Sequence, residues 1–185
     1  MRIFIIPAVM LFALPTYADN LSGFYAGGNA NFIDGNATLG AGNDVEFRSI
    51  EAFGGYKLNG WVGGETRTGL GLSGESYSIG TGDAQQNIEL GIDYYQSVYY
   101  RVEKANQVAK LYGLVGATFL QWGRDVDYMD GSTQEDSYTE TGFSYGLGVG
   151  FVMNENTNLN FEYRQLINTD TVEFTVINVG FDFRF

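Results

Sequence analysis

Twenty-two carboxylates and ten lysine or arginine side chains, with neither histidine nor cysteine, set the chemistry open to this chain of 185 residues. Without histidine the commonest general base and metal ligand is missing. Without cysteine there is no disulfide framework and no thiolate metal site. A serine or tyrosine served by a carboxylate alone is a poor catalytic pair, so no catalytic residue, no cofactor and no enzymatic activity are expected. The run Asp125-Val126-Asp127-Tyr128-Met129-Asp130-Gly131 resembles a calcium loop, but a calcium-binding helix-loop-helix needs a ligand at its fifth position and glycine at its sixth. Met129 and Asp130 stand there, so the register fails. A looser divalent site among Asp125, Asp127, Asp130, Glu135 and Asp136 is the other metal reading; a solvated acidic loop is the simpler one, and no metal residue is assigned. Gly146-Leu147-Gly148-Val149-Gly150 lacks the lysine and the strand-to-helix setting of a phosphate loop. A net charge of -12 leaves no cationic footprint for nucleic acid.

The remaining charged residues fall into a period of two, which belongs to strands whose alternate side chains face opposite sides. The last run shows it most clearly. Ile177, Val179, Phe181, Phe183 and Phe185 share one face, while Asn178, Gly180, Asp182 and Arg184 share the other. Seven further runs precede it, at about 23–33, 47–58, 61–72, 88–102, 108–122, 142–153 and 159–167. In the first two, Phe24, Phe32, Ile50 and Tyr56 oppose Asn29, Asn31, Glu51 and Lys57. A three-residue turn Leu58-Asn59-Gly60 with left-handed Gly60 puts Lys57 opposite Trp61 and gathers Glu65 and Arg67 on the same side. Reading the fourth run with one period sets Ile88, Leu90, Ile92, Tyr94, Val98 and Tyr100 outward against Glu89, Asp93, Tyr95, Tyr99 and Arg101. The fifth run alternates weakly and its faces stay unassigned. The seventh opposes Leu159, Phe161, Tyr163 and Ile167 to Asn160, Glu162 and Arg164. The charged face therefore collects Glu51, Lys57, Glu65, Arg67, Asp93, Arg101, Glu162, Arg164, Asp182 and Arg184.

At the N-terminus, Arg2, an apolar run from Ile3 to Leu14 and the small-residue site Thr16-Tyr17-Ala18 read as a secretory signal peptide over 1–18, leaving one domain over 19–185. No other stretch has the length of a transmembrane helix, so a membrane location requires a closed barrel, the other structure that satisfies every backbone polar group. Both prolines lie in the signal segment and all 26 glycines lie outside it, which suits strand ladders. The expected fold is all-β, an eight-stranded antiparallel up-and-down transmembrane barrel. Its long connections, 34–46, 73–87 and 123–141, together with a short link at 168–170, lie outside the cell, and the tight turns and both termini lie in the periplasm. Tyr25, Tyr56, Trp61, Tyr100, Trp122 and Tyr163 are candidates for aromatic girdles at the membrane surfaces.

Several segments together resemble the small eight-stranded outer-membrane barrels of the OmpA transmembrane-domain, OmpX and opacity-protein kind. They are the signal peptide, Gly23-Phe24-Tyr25-Ala26-Gly27-Gly28, Phe53-Gly54-Gly55-Tyr56, Tyr112-Gly113-Leu114-Val115-Gly116, and Val179-Gly180-Phe181-Asp182-Phe183-Arg184-Phe185. The resemblance implies a Gram-negative cell outer membrane location, the lipid bilayer and lipopolysaccharide as surroundings, and the barrel-insertion machinery as a partner. Ile177, Val179, Phe181, Phe183 and Phe185 are then the C-terminal assembly signal. No peptidoglycan-binding domain is expected after Phe185. A soluble lipocalin-like barrel would turn its apolar face inward, and the charges of both signs here are too many and too bulky for that arrangement. An eight-stranded barrel is just wide enough for side chains to fill it, so the charges are expected to pair as a plug. Function then rests on structure, or on surface interaction or adhesion with an unidentified ligand at the extracellular loops. The alternative is a narrow pore for small solutes or ions.

Overall fold

The computed structural model describes residues 22–37, 44–79, 86–128, 132–169 and 172–185, so the expected signal segment 1–18 and Asp130 of the acidic run lie outside the described residues. The strands are β1 (Gly23–Ala37), β2 (Asp44–Lys57), β3 (Val62–Ser73), β4 (Glu75–Ile79), β5 (Gln86–Ala105), β6 (Ala109–Tyr128), β7 (Thr133–Val152), β8 (Thr157–Asn168) and β9 (Val172–Arg184). β3 and β4 are two pieces of one barrel strand, parted at Gly74 and both paired with β5, so the barrel has eight strands in antiparallel up-and-down order. The last strand closes it against the first, from Tyr25 opposite Arg184 to Ala37 opposite Val172. Gly23 begins the seam at a φ of 137°, a conformation open essentially to glycine alone, and Phe185 N–H donates to the Phe24 carbonyl at 3.1 Å. Closure leaves no strand edge facing lipid.

One chemical device makes the three tight turns. The side-chain oxygens of Asn59, Asn106 and Asn154 each accept from the backbone N–H groups two and three residues ahead, at 2.8–3.1 Å. Asparagine closes such a turn by standing in for the backbone. The first of these turns is longer than expected: Lys57 pairs with Gly63, not Trp61, and Leu58 N–H reaches the Val62 carbonyl at 2.9 Å. Gly60 is not left-handed. Two added residues preserve parity, so Glu65 and Arg67 still point inward.

Parity does change at three bulges. Leu72 in β3, Asp93 in β5 and Leu166 in β8 are each skipped by the partner strand. An unpaired extra residue exchanges the two faces beyond it. Ile88, Leu90 and Ile92 are consequently buried inside, while Glu89 and Asp93 are exposed, the reverse of the single-period expectation. Ile167 turns inward for the same reason. β6, unassigned from sequence, points Lys110, Tyr112, Leu114, Thr118, Leu120 and Trp122 inward. Of the girdle candidates, Tyr25 and Trp122 are interior residues, whereas Tyr56, Trp61, Tyr100 and Tyr163 face outward.

The interior is filled in two layers. On the turn side of the bulges lie the polar and charged residues. On the far side Ile33, Phe47, Leu90, Trp122, Leu166 and Phe174 belong to one apolar cluster. The outer surface carries a band of exposed apolar side chains on every strand of the lipid-depth barrel, among them Phe24, Ile50, Leu70, Val98, Leu111, Leu147, Phe161 and Phe181. β5, β6 and β7 are 20 residues each. At about 3.3 Å per residue they overreach an apolar band roughly 25 Å tall even when tilted. The acidic stretch expected as a loop is thus mostly a hairpin, paired as far as Asp127 opposite Thr133.

Interior glycines make room for rings from neighbouring strands: a Cβ at Gly148 would collide with Tyr112, and one at Gly69 with Tyr95. Gly148→Leu should lower the stability of the refolded barrel by about 1–3 kcal/mol through overpacking. Gly64→Ala meets nothing within 4 Å and should leave it unchanged, both read as urea midpoints in lipid vesicles.

Candidate functional site: the charged interior

Inward polar groups of β1, β2, β3, β5, β8 and β9 form one connected network, and Lys110 of β6 pairs with a second, smaller group beside it. Arg67 is the hub of the network. Its Nε donates to Glu65 at 2.5 Å, its two terminal nitrogens bind Glu162 at 2.7 and 2.9 Å, and one of these also meets Glu51 at 3.0 Å. Arg164 takes the other Glu51 oxygen at 2.6 Å and lies 3.7 Å from Glu162. Arg101 joins Glu65 at 2.8 Å to Glu103 at 3.0 Å. Lys57 and Arg184 share the remaining Glu103 oxygen at 2.9 and 2.8 Å. Lys110 pairs with Asp182.

Neutral donors complete the carboxylates. Tyr25 donates to Glu65 at 2.7 Å, Asn29 to Glu51 at 2.7 Å and Asn178 to Glu162 at 3.0 Å. Asn158 and Asn160 donate to Asp182 at 2.7 and 2.8 Å. Aromatic faces cover the guanidinium groups: Arg67 lies between Phe53 and Tyr99 at 5.2 and 5.3 Å, and Arg101 lies 3.7 Å from the Tyr112 ring centre. A charge removed from water is tolerated when it is paired and its remaining hydrogen-bond capacity is met, which is the state of these carboxylates.

Of the ten residues expected on the charged face, eight belong to the Arg67 network and Asp182 to the Lys110 group beside it. Asp93 belongs to neither. The bulge turns it outward, where Gln121 donates to it at 3.2 Å. Glu103 and Lys110 were not among the expected residues although they are integral. Glu103 continues the period of Tyr99 and Arg101, and Lys110 lies on the strand whose faces were undecided. The asparagines of β1, β8 and β9 carried no signal beyond their inward parity. The acidic stretch behaves differently: Asp125 faces Glu135 across the strands and Thr133 donates to Asp127 at 2.7 Å. Among the described residues no three acids gather as a metal site.

Chemically, this arrangement sets buried carboxylates against guanidinium and ammonium groups. It couples six of the eight barrel strands through buried ion pairs, β1 adding the neutral donors Tyr25 and Asn29, and the apolar layer lies at the far end. A family model described as "Outer membrane protein beta-barrel domain" matches residues 4–185. No curated protein matches the sequence significantly. Among solved structures, Ail, the attachment invasion locus protein of Yersinia pestis, is similar at 18% identity and a TM-score of 0.59, over 89% of this chain and 100% of that one. A structure of Ail in complex with the heparin analogue sucrose octasulfate is similar at 18% identity and a TM-score of 0.57, over 88% and 99%. Neisserial surface protein A, NspA, is similar at 19% identity and a TM-score of 0.57, over 89% and 98%. These likenesses are in fold.

Removing the hub leaves three carboxylates with a lost partner. Arg67→Met should cost about 3–5 kcal/mol of stability, the penalty for breaking a buried pair from one side. Asp93→Asn should stay within about 0.5 kcal/mol, as for an exposed substitution. Urea unfolding in vesicles of one composition checks both.

Proposed function

Because the chain belongs to the outer membrane protein β-barrel domain family, and so resides in the bacterial outer membrane, we propose that it is a plugged barrel whose work is surface interaction. The observation that carries this reading is the two-layer filling: a path through the barrel would have to separate the Arg67 ion pairs and then cross the apolar cluster around Leu90, Leu120 and Phe174. On this reading the turns face the periplasm and the long strands β5, β6 and β7 project outside. The extracellular sheet offers a docking edge, because residues 133–144 of β7 pair on one side only, with β6, among the described residues. Such an edge accepts an extended segment by backbone hydrogen bonding.

Charge narrows the partner. Segments 34–48, 73–93, 121–141 and 168–175 together hold fifteen acids and, as cations, only Arg48 and Arg124. Ail has been seen with a sulfated ligand; this surface is suited instead to a cationic partner, since like charges facing each other are penalised. Catalysis has no place in this reading. The signal segment 1–18 delivers the chain to the periplasm. There the outward ladder Ile177, Val179, Phe181, Phe183 and Phe185 is read by the insertion machinery, and in the membrane the apolar band meets lipid and lipopolysaccharide.

Planar-bilayer recording of the purified protein should show no steady conductance, and the surface should retain a lysine-rich extended peptide while ignoring sulfated glycan. Conductance steps that vanish on changing Arg67 or Arg164 would instead establish the narrow pore.

A further inference from the structure

At the end bearing the tight turns, the interior opens into a cavity of about 570 Å³ whose charged lining is Lys57, Lys104, Lys110 and Arg184 against Glu103 and Glu155. The sign of this mouth is opposite to that of the chain, whose net charge is -12. Its origin lies in how the network is shared. Deeper in the barrel, Arg67, Arg101 and Arg164 are matched by Glu51, Glu65 and Glu162. Toward the mouth, Glu103 takes two further cations, Lys57 and Arg184, on a single oxygen while its other oxygen meets the already matched Arg101. Asp182 is saturated by Lys110, Asn158 and Asn160. The described lining of the cavity thus sets four cations against two carboxylates. The barrel wall around it excludes water on its sides, which focuses the field into the opening.

We propose that this vestibule binds a phosphate-bearing anion from the periplasmic side. Lys57 holds donors that a phosphate oxygen would engage beside its Glu103 partner, Arg184 lends its guanidinium charge to the lining, and Lys104 supplies a further ammonium at the rim. Ammonium and guanidinium groups together give the point charge and the forked geometry that phosphate accepts. The cavity volume of about 570 Å³ accommodates a diphosphate. Two sources present this chemistry: a free periplasmic phosphate compound, and the headgroup of an anionic phospholipid reaching over the rim beside exposed Trp61.

The test uses the isotope-labelled full chain in nanodiscs of phosphatidylcholine, titrated with inorganic pyrophosphate. Saturable NMR shifts confined to Gly60, Ala105, Asn106 and Gln107 are expected, weakening with added salt. Lys104→Gln, which leaves every buried pair in place, should reduce the affinity on the order of tenfold, as for loss of one charged hydrogen bond. In nanodiscs containing phosphatidylglycerol, the same shifts before any pyrophosphate is added would identify the headgroup as the source. Their absence there, with pyrophosphate still binding, would identify a free anion. No localised shift with either probe, or an affinity unchanged in both Lys104→Gln and Arg184→Gln variants of normal heat-shifted gel mobility, would overturn the proposal.

Discussion

One guanidinium group holding three carboxylates inside a closed barrel is the interaction on which the rest of this structure depends. Lipid outside admits no charge on the apolar band. Closure at eight strands leaves an interior that side chains must fill. Charged residues that alternate with lipid-facing ones therefore have one place to go, and there they persist only in pairs. Arg67 suits this position because its planar fork presents five N–H donors without an acceptor. It spends them on Glu65, Glu51 and Glu162, which belong to β3, β2 and β8. Strands far apart in sequence are thereby fixed to one another across the barrel rather than only along its wall.

The network extends as far as the bulges at Leu72, Asp93 and Leu166 and stops there. Beyond them the faces exchange and the filling becomes apolar, with Tyr95 at the junction donating nothing to lipid and packing into the upper cluster while its hydroxyl accepts from Asn31 at 2.7 Å. A polar lower layer and a dry upper layer give the barrel different properties at its two ends. The far end holds the apolar cluster and carries a long acidic sheet; the turn end opens into the cavity lined by Lys57, Lys104, Lys110 and Arg184. Both follow from where the six interior cations and five interior carboxylates lie, since these use up most of the ten cationic residues and leave the outer segments acidic.

Much of this was legible in the sequence because a lipid-facing strand must repeat without error. The ladders of β1, β2, β7 and β9 can be read directly, and the parity argument across the first turn placed Glu65 and Arg67 correctly although the turn itself is two residues longer. What stayed hidden has a common cause. A bulge costs one residue and leaves no mark in composition, so Ile88, Leu90 and Ile92 read as a continuation of the lipid face and Glu89 and Asp93 as inward. β6 places Leu114, Leu120 and Trp122 inside and Gly113 and Ala117 outside, so its contrast is weak for a physical reason. Above the membrane both faces of a hairpin tolerate polar residues, and 123–141 looked like a loop. Glu103 and Lys110 needed the register of β5 against β6, which pairing alone supplies.

The most direct measurement of the central claim is a double-mutant cycle joining Arg67→Met and Glu162→Gln, read as unfolding free energies in lipid vesicles. Buried pairing predicts a coupling of at least about 1.5 kcal/mol, within the range of close charge pairs shielded from water. Additivity within about 0.5 kcal/mol, as for independent sites, would contradict it and return the interior charges to a solvated channel.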